Sequence, residues 1–336
     1  MSEQKIVLFR VDGNGCIGMG HVMRCLSLAD ELKDRCYRII FVVSDCSVVN
    51  LIKKRGFETT VLNSNWNNYC DKINELKEYV TLTNASWLIT DSYYVTDSYF
   101  EIIDNCRLAW ITENRPPVQG PNVDLFINYN LYMSDYTIES TACKLCMGSR
   151  YALIRKMFKN VSTCNGNDIL ILTGGSDTFG IAENISKAMM QSLDGAHRIV
   201  VVSGSLNPNL SKLKSLSKNI TLLIDVEDMV SVMMNARIAI SAGGSTLYEL
   251  AACGVPTITF SFVDNQLENV NAFSKKGIMP YAGDFRRNKE SVVARIVQLA
   301  KRYYHDDELR KEVAKQMRSI CDGCGASRVA DIIDAW

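Results

Sequence analysis

Apolar residues along this chain alternate between two rhythms. Short runs rich in β-branched and aromatic residues predict strands, and longer stretches with apolar positions three and four apart predict helices. Strands are expected at 5–11, 38–43, 58–62, 87–90, 107–111 and 125–129, with helical patterns between several of them. From 151 to 167 the periodicity fades, and a polar connector, SerThrCysAsnGlyAsn, precedes Asp168. The alternation then restarts, with strands at 169–172, 198–203, 220–223, 238–241 and 257–260. Three closing helical stretches, near 289–303, 306–318 and 326–336, have no evident strand partners. Regular β/α alternation implies parallel sheets. The predicted fold class is therefore α/β, with two doubly wound, Rossmann-like domains facing across a cleft. The domains are expected at 1–155 and 156–336, with the last helix packing back on the first. Ligands of open parallel sheets bind beyond the carboxyl ends of the strands, and pockets favour domain interfaces, so one site in the cleft is expected.

Composition narrows this picture. With 336 residues, 47% of them hydrophobic, the chain can bury two cores. The 37 basic and 37 acidic residues cancel, so no global field recruits nucleic acid or an anionic membrane, and any anion is held locally. No apolar run approaches a membrane span and the N-terminus lacks a signal-peptide core, which reads as cytoplasmic. The twelve cysteines are mostly scattered singly, as reduced thiols are. Two CxxC pairs, Cys143/Cys146 and Cys321/Cys324, lie far apart without a nearby histidine, so free thiols are the better reading and a shared zinc site the weaker one.

The segment RVDGNGCIGMGHVMR, from Arg10 to Arg24, places four glycines and a histidine where the first strand becomes a helix. Glycines admit a ligand close to backbone N–H groups, and a helix start favours negative charge. His21 falls in the first helical turn, and an ordinary imidazole titrates near neutrality, so it can exchange a proton at working pH. The spacing departs from the dinucleotide pattern GxGxxG, which disfavours an NAD site. An ordinary Gly-rich turn would explain the glycines alone.

A second constellation, SAGGSTLYE from Ser241 to Glu249, also joins a strand to a helix. Gly243 and Gly244 leave room for phosphate, Ser245 and Thr246 offer donors at the helix start, and Glu249 lies one turn on, in reach of ribose hydroxyls. A Ser/Thr cap explains the hydroxyls equally well, but not the paired glycines. TGGSD at 173–177 and VDNQ at 263–266 end two neighbouring strands in the same manner. The chain contains no DxD string to hold a divalent metal on a diphosphate, so phosphate binding through amides and helix termini is expected, with no metal and no cofactor.

With GMGHVMR, MGSRYALIR, TGGSD, GGSTLYELAACGVP and DNQ in this order, the chain resembles the UDP-2,4-diacetamido-2,4,6-trideoxy-β-L-altropyranose hydrolases of pseudaminic acid synthesis, members of the GT-B-like group. That resemblance implies that the second domain holds UDP: Gly174, Gly175 and Ser176 on the phosphate side, Gly243, Gly244, Ser245 and Thr246 on the diphosphate, Glu249 on the ribose, and the backbone from Val226 to Met229 on the uracil. It makes His21 the catalytic candidate, directing water at the anomeric carbon with inversion. Tyr93 and Asn265 become substrate contacts, with Asp12, Gly18, Gly20, Arg24 and Gln266 beside them. The chain departs from the family pattern at Thr112 and Glu113, at Asn128, Tyr129 and Asn130, and at Gly13, Asn14 and Gly15, all on the sugar side, so a related diacetamido sugar stays open. The expected partner is a small-molecule UDP-sugar, with no nucleic acid and no membrane. Rival readings are a glycosyltransferase of the same fold, a UDP-sugar 2-epimerase and a non-catalytic nucleotide-sugar binder. His197 and His305 join no motif and read as structural.

Overall fold

The computed structural model describes residues 4–116, 121–138, 142–162, 164–175, 177–192, 198–205, 207–216, 218 and 220–336. The chain divides into two compact units: residues 1–156 with 324–336, and residues 157–323.

Among the described residues, the first unit carries a seven-stranded parallel sheet: β1 (Ile6–Val11), β2 (Arg38–Val43), β3 (Glu58–Val61), β4 (Trp87–Asp91), β5 (Arg107–Ile111), β6 (Leu125–Asn128) and β7 (Lys144–Met147), in the order 3-2-1-4-5-6-7. The central strands are near-continuous apolar runs because helices cover both faces. Those of the first half are α1 (Gly20–Asp34), α2 (Val49–Lys54), α3 (Ile73–Thr83) and α4 (Asp97–Ile102). The order reverses between β1 and β4, which are neighbours in the sheet. The register pairs Val11 with Asp91 and Asp91 with Ile111, so the loops leaving β1, β4 and β5 start side by side.

The second unit repeats the plan with six parallel strands: β8 (Asp168–Leu172), β9 (Ile199–Ser203), β10 (Thr221–Ile224), β11 (Ala236–Ala242), β12 (Thr257–Ser261) and β13 (Tyr281–Asp284), ordered 10-9-8-11-12-13. Its helices are α5 (Ile181–Ser192), α6 (Leu210–Ser215), α7 (Met229–Met234), α8 (Thr246–Cys253), α9 (Leu267–Lys275), α10 (Lys289–His305) and α11 (Asp307–Ile320). Here the reversal falls between β8 and β11. The closing helix α12 (Gly325–Asp334) returns to the first unit, where it packs on α1; Arg35 of α1 donates to Ser327 and Asp331. Gly325 must be glycine, since a Cβ there would lie 2.3 Å from the Ala152 carbonyl oxygen.

The eleven strands expected from the pattern all form, with ends shifted by a residue or two. Two edge strands went unpredicted. β7, LysLeuCysMet, is four residues long, and β13, TyrAlaGlyAsp, carries Gly283 at φ +132°; neither has room for an alternation that stands out from a loop.

Candidate active site

At the carboxyl edge of the first unit, the switch between β1 and β4 is filled by a cross-linked set of charged side chains. His21 lies in the first turn of α1, buried, and its Nδ1 is 2.7 Å from Asp91 Oδ1 at the end of β4. Arg24, one turn along the same helix face, donates Nε to Asp91 Oδ2 (2.5 Å) and Nη2 to Asp91 Oδ1 (2.6 Å). Its Nη1 donates to Glu113 Oε1 (2.6 Å), and the Tyr93 hydroxyl donates to Glu113 Oε2 (2.6 Å). The Tyr93 ring meets the imidazole edge-on, with centroids 4.4 Å apart.

Burial alone would raise the Asp91 pKa, but Arg24 and His21 outweigh it and hold the carboxyl down at about 2. Desolvation likewise opposes the Arg24 charge, and the attraction of Asp91 overrides it, so that pKa is raised well above the usual arginine value. With Asp91 ionised, Nδ1 of His21 donates its proton to the carboxylate, and in the neutral form of the ring the lone pair falls on Nε2. Arg24 Nη2, 2.9 Å from Nδ1, is a close neighbour rather than a donor to it. An imidazole held in this way is a candidate general base.

The loop ahead of α1 suits a ligand. Gly18 is left-handed at φ +74°, Gly20 opens the helix, and a Cβ on either would meet open space. The N-cap, Met19, provides no side-chain hydrogen bond and the first turn holds no acidic residue.

Two residues read from the sequence as substrate contacts are tied into the first unit's own hydrogen-bond network. Asp12 is buried, its Oδ2 accepting from Arg10 (2.7 Å) and Ser44 Oγ (2.8 Å) and its Oδ1 from the Ser44 N–H (2.6 Å). Arg24 is equally enclosed between Asp91 and Glu113. Both carboxylate oxygens of Asp12 and three N–H groups of Arg24 are thus engaged within the frame. Asp91 escaped sequence reasoning, although an acidic residue closing an otherwise apolar strand was the available signal. Glu113, noted only as a departure from the family pattern, is the far anchor of the same network.

The second unit presents a different surface at its carboxyl edge. The loop after β11 leads into α8 through Gly243, Gly244 and Ser245; Ser245, the N-cap, makes no side-chain cap hydrogen bond. The two glycines differ. A Cβ on Gly243 would lie 2.4 Å from Val270 Cγ1 and 3.0 Å from Gln266 Cβ, so its glycine answers to packing against α9; a Cβ on Gly244 would meet nothing within 4 Å. Gly244 alone keeps a backbone face open at the start of α8. Thr246 and Glu249 are half-buried in that helix's first turn. Asn269, hydrogen-bonded to Tyr248 (2.7 Å), steadies the loop from behind.

After β8, Gly174 at φ +84° and Gly175 also have open faces, whereas Asp177 accepts from the Ile181 and Ala182 N–H groups (2.8 and 3.0 Å) and closes the start of α5. Of these two neighbouring helix starts, only that of α8 lacks a side-chain cap. Ser176 lies outside the described residues, as does His197. Asn265 is exposed in the loop after β12; Gln266 is buried, accepting the Phe262 N–H on Oε1 (3.1 Å), and so staples that loop. Val226 is half-buried and Met229 buried where β10 leads into α7. His305 is exposed at the end of α10, against Tyr304. A cavity of about 710 Å³ opens at the opposite edge of this sheet, lined by Arg237, Asp307 and Arg310, whose charges pair with one another. It is remote from these loops.

Two doubly wound parallel units of this kind define the class: the fold is that of the GT-B glycosyltransferases. The solved structure of MurG from Acinetobacter baumannii covers 99% of this chain and 100% of its own, with a TM-score of 0.72 at 15% identity. Residues 169–322 match the Glycosyltransferase family 28 C-terminal domain. The more particular resemblance, read from the motifs, holds along most of the chain. It is 27% identical over 280 residues, 81% of this chain and 97% of the relative, to the UDP-2,4-diacetamido-2,4,6-trideoxy-beta-L-altropyranose hydrolase of Campylobacter jejuni. It is also 23% identical, over 78% of its length, to a Helicobacter pylori protein named as both a pseudaminic acid cytidylyltransferase and this hydrolase, of which it spans 45%. Among the described residues no helix is long and apolar enough to cross a membrane.

Proposed function

We propose that the chain is a UDP-sugar hydrolase that cleaves a UDP-linked 2,4-diacetamido-2,4,6-trideoxyhexose at C1, releasing UDP and the free sugar for nonulosonic acid synthesis. The observation that carries the reading is the His21–Asp91 pair, an imidazole held by a buried carboxylate at 2.7 Å, at the switch point of a unit whose motifs match a hydrolase.

In this reading Nε2 of His21 takes a proton from water as the water oxygen bonds to C1. The bond from C1 to the β-phosphate oxygen breaks with its electron pair leaving on UDP, and configuration inverts. Asp91 remains ionised and stabilises the imidazolium. The second unit binds the nucleotide: amides at Gly244, Ser245 and Thr246 with the α8 dipole on the diphosphate, the open faces of Gly174 and Gly175, with Ser176, beside it, Glu249 on the ribose, and the backbone from Val226 to Met229 on the uracil. Donors preorganised at a helix start stabilise the departing diphosphate without a metal. Gly18, Gly20, Tyr93 and Asn265 remain proposed sugar contacts, while Asp12, Arg24 and Gln266 hold the frame. The setting is cytoplasmic, which suits twelve free thiols, seven of them at least partly exposed.

Phosphorus NMR of the purified protein with the UDP-linked diacetamido sugar, and no acceptor, tests the reaction. Stoichiometric UDP release is expected. Release only in trace would turn the reading toward a transferase, whose fold this chain shares.

A further inference from the structure

The segment between β3 and α3 is a compact loop with its own internal ties. The Asn65 N–H and Nδ2 both donate to Asp71 Oδ2 (2.9 and 3.0 Å), Asn68 N–H donates to the Asn65 carbonyl and Asp71 N–H to that of Asn68. Two anchors fasten it, one just past the end of β2 and one at the end of β4. Ser64 N–H donates to the Ser44 carbonyl (3.2 Å). Tyr69 is buried, lies 4.2 Å from the Arg10 guanidinium and donates its hydroxyl to the Asp91 carbonyl (3.3 Å). Between the anchors stands Trp66, half-buried, its ring edge-on to Tyr94 at 5.7 Å.

Tyr94 is 44% exposed, and its N–H is held by Ser92 Oγ (3.0 Å). It follows Tyr93, whose ring covers His21, and comes three residues after Asp91. Both aromatics are thus tied, through Tyr69 on one side and the strand end on the other, to the residue that orients the candidate base. A two-ring surface, half-buried at Trp66 and 44% exposed at Tyr94, beside a polar site is suited to C–H groups of a ligand rather than to its hydroxyls.

We propose that Trp66 and Tyr94 form an apolar subsite that receives methyl groups of the sugar, those of its acetamido substituents or the methyl at C6, and so select acylated deoxyhexoses over fully hydroxylated ones. This rests on the proposed hydrolase reading, since only the sugar of a substrate committed to His21 would reach this rim. The diacetamido-trideoxy sugar exchanges three hydroxyls for two amides and a methyl, and three methyl groups then need somewhere dry to go.

Binding and turnover test the subsite separately. In the His21→Ala background, saturation-transfer NMR on the UDP-linked diacetamido sugar should show strong transfer to its methyl protons. Adding Tyr94→Ala or Trp66→Ala should abolish that transfer while uridine signals persist. In the otherwise native chain each change should raise KM about tenfold and leave kcat within about twofold, consistent with removing contacts made equally in ground and transition states. Trp66→Phe should recover most of the loss. Methyl transfer undiminished in a folded Tyr94→Ala variant would overturn the subsite and leave the hydrolase reading intact. Absence of UDP release by the native protein would overturn the hydrolase reading, while the methyl signals would still judge the subsite.

Discussion

The two units share a topology and treat their switch points in opposite ways. In the first, polar side chains from the end of β4, the start of α1 and the loops after β4 and β5 pair with one another: Asp91 with His21 and Arg24, Arg24 with Glu113, Glu113 with Tyr93. In the second, β8 and β11 end in glycines; Asp177 caps the helix start after β8, whereas that after β11 has no side-chain cap and presents backbone amides. A proton-transfer group needs its orientation and tautomer set by neighbours, which requires side chains. A diphosphate needs close approach and fixed donors, which side chains would obstruct. One plan of strands and helices has room for both proposed roles because the loops at the carboxyl edge are free to differ.

The sharpest way to break this contrast is at the imidazole. His21→Ala should lower kcat by about 10³-fold while the UDP dissociation constant, read by calorimetry, stays put. Equal loss of UDP binding would show that the two roles are not divided as proposed. Next in size, Asp91→Asn should cost about 10²-fold in kcat through the lost tautomer lock, and about 3 kcal/mol of stability because Arg24 loses a buried counter-charge. Chemical denaturation and steady-state kinetics would read the two losses on one variant, and a kinetic loss without destabilisation would contradict the buried network.

Two substitutions probe the other switch point. Gly243→Ala should destabilise the fold by about 1–3 kcal/mol, because its methyl meets Val270. Gly244→Ala should leave thermal stability unchanged but weaken UDP about tenfold, by blocking approach to the helix start. The reverse pattern would exchange the roles given to the two glycines.

The smallest effect is on acid stability. Asp91 has a folded pKa depressed to about 2, below the unfolded value, so its contribution is present above pH 4 and disappears as pH falls through 2. The stability difference between the native chain and Asp91→Asn should shrink by about 2 kcal/mol over that interval, as measured by denaturation at successive pH values. A difference constant with pH would mean that Asp91 does not titrate there.

Much of this protein could be read along the chain. Strand runs such as Arg38–Val43 and Arg107–Ile111, the helix from Gly20, and the glycine loops at strand ends are local patterns, dictated by which residues tolerate a pleat, a helical turn or a left-handed φ. His21 and the start of α8 were visible for the same reason. The partner of His21 was not: Asp91 is 70 residues away and becomes its neighbour only because β4 pairs with β1 in a register that sets Asp91 beside Val11. The inward turn of Asp12 and Arg24 and the unequal duties of Gly243 and Gly244 also came from tertiary structure. Whether a charge is saturated, or a missing Cβ leaves room, depends on atoms brought in from distant segments. Local sequence decides conformation; long-range packing decides which polar groups remain available for chemistry.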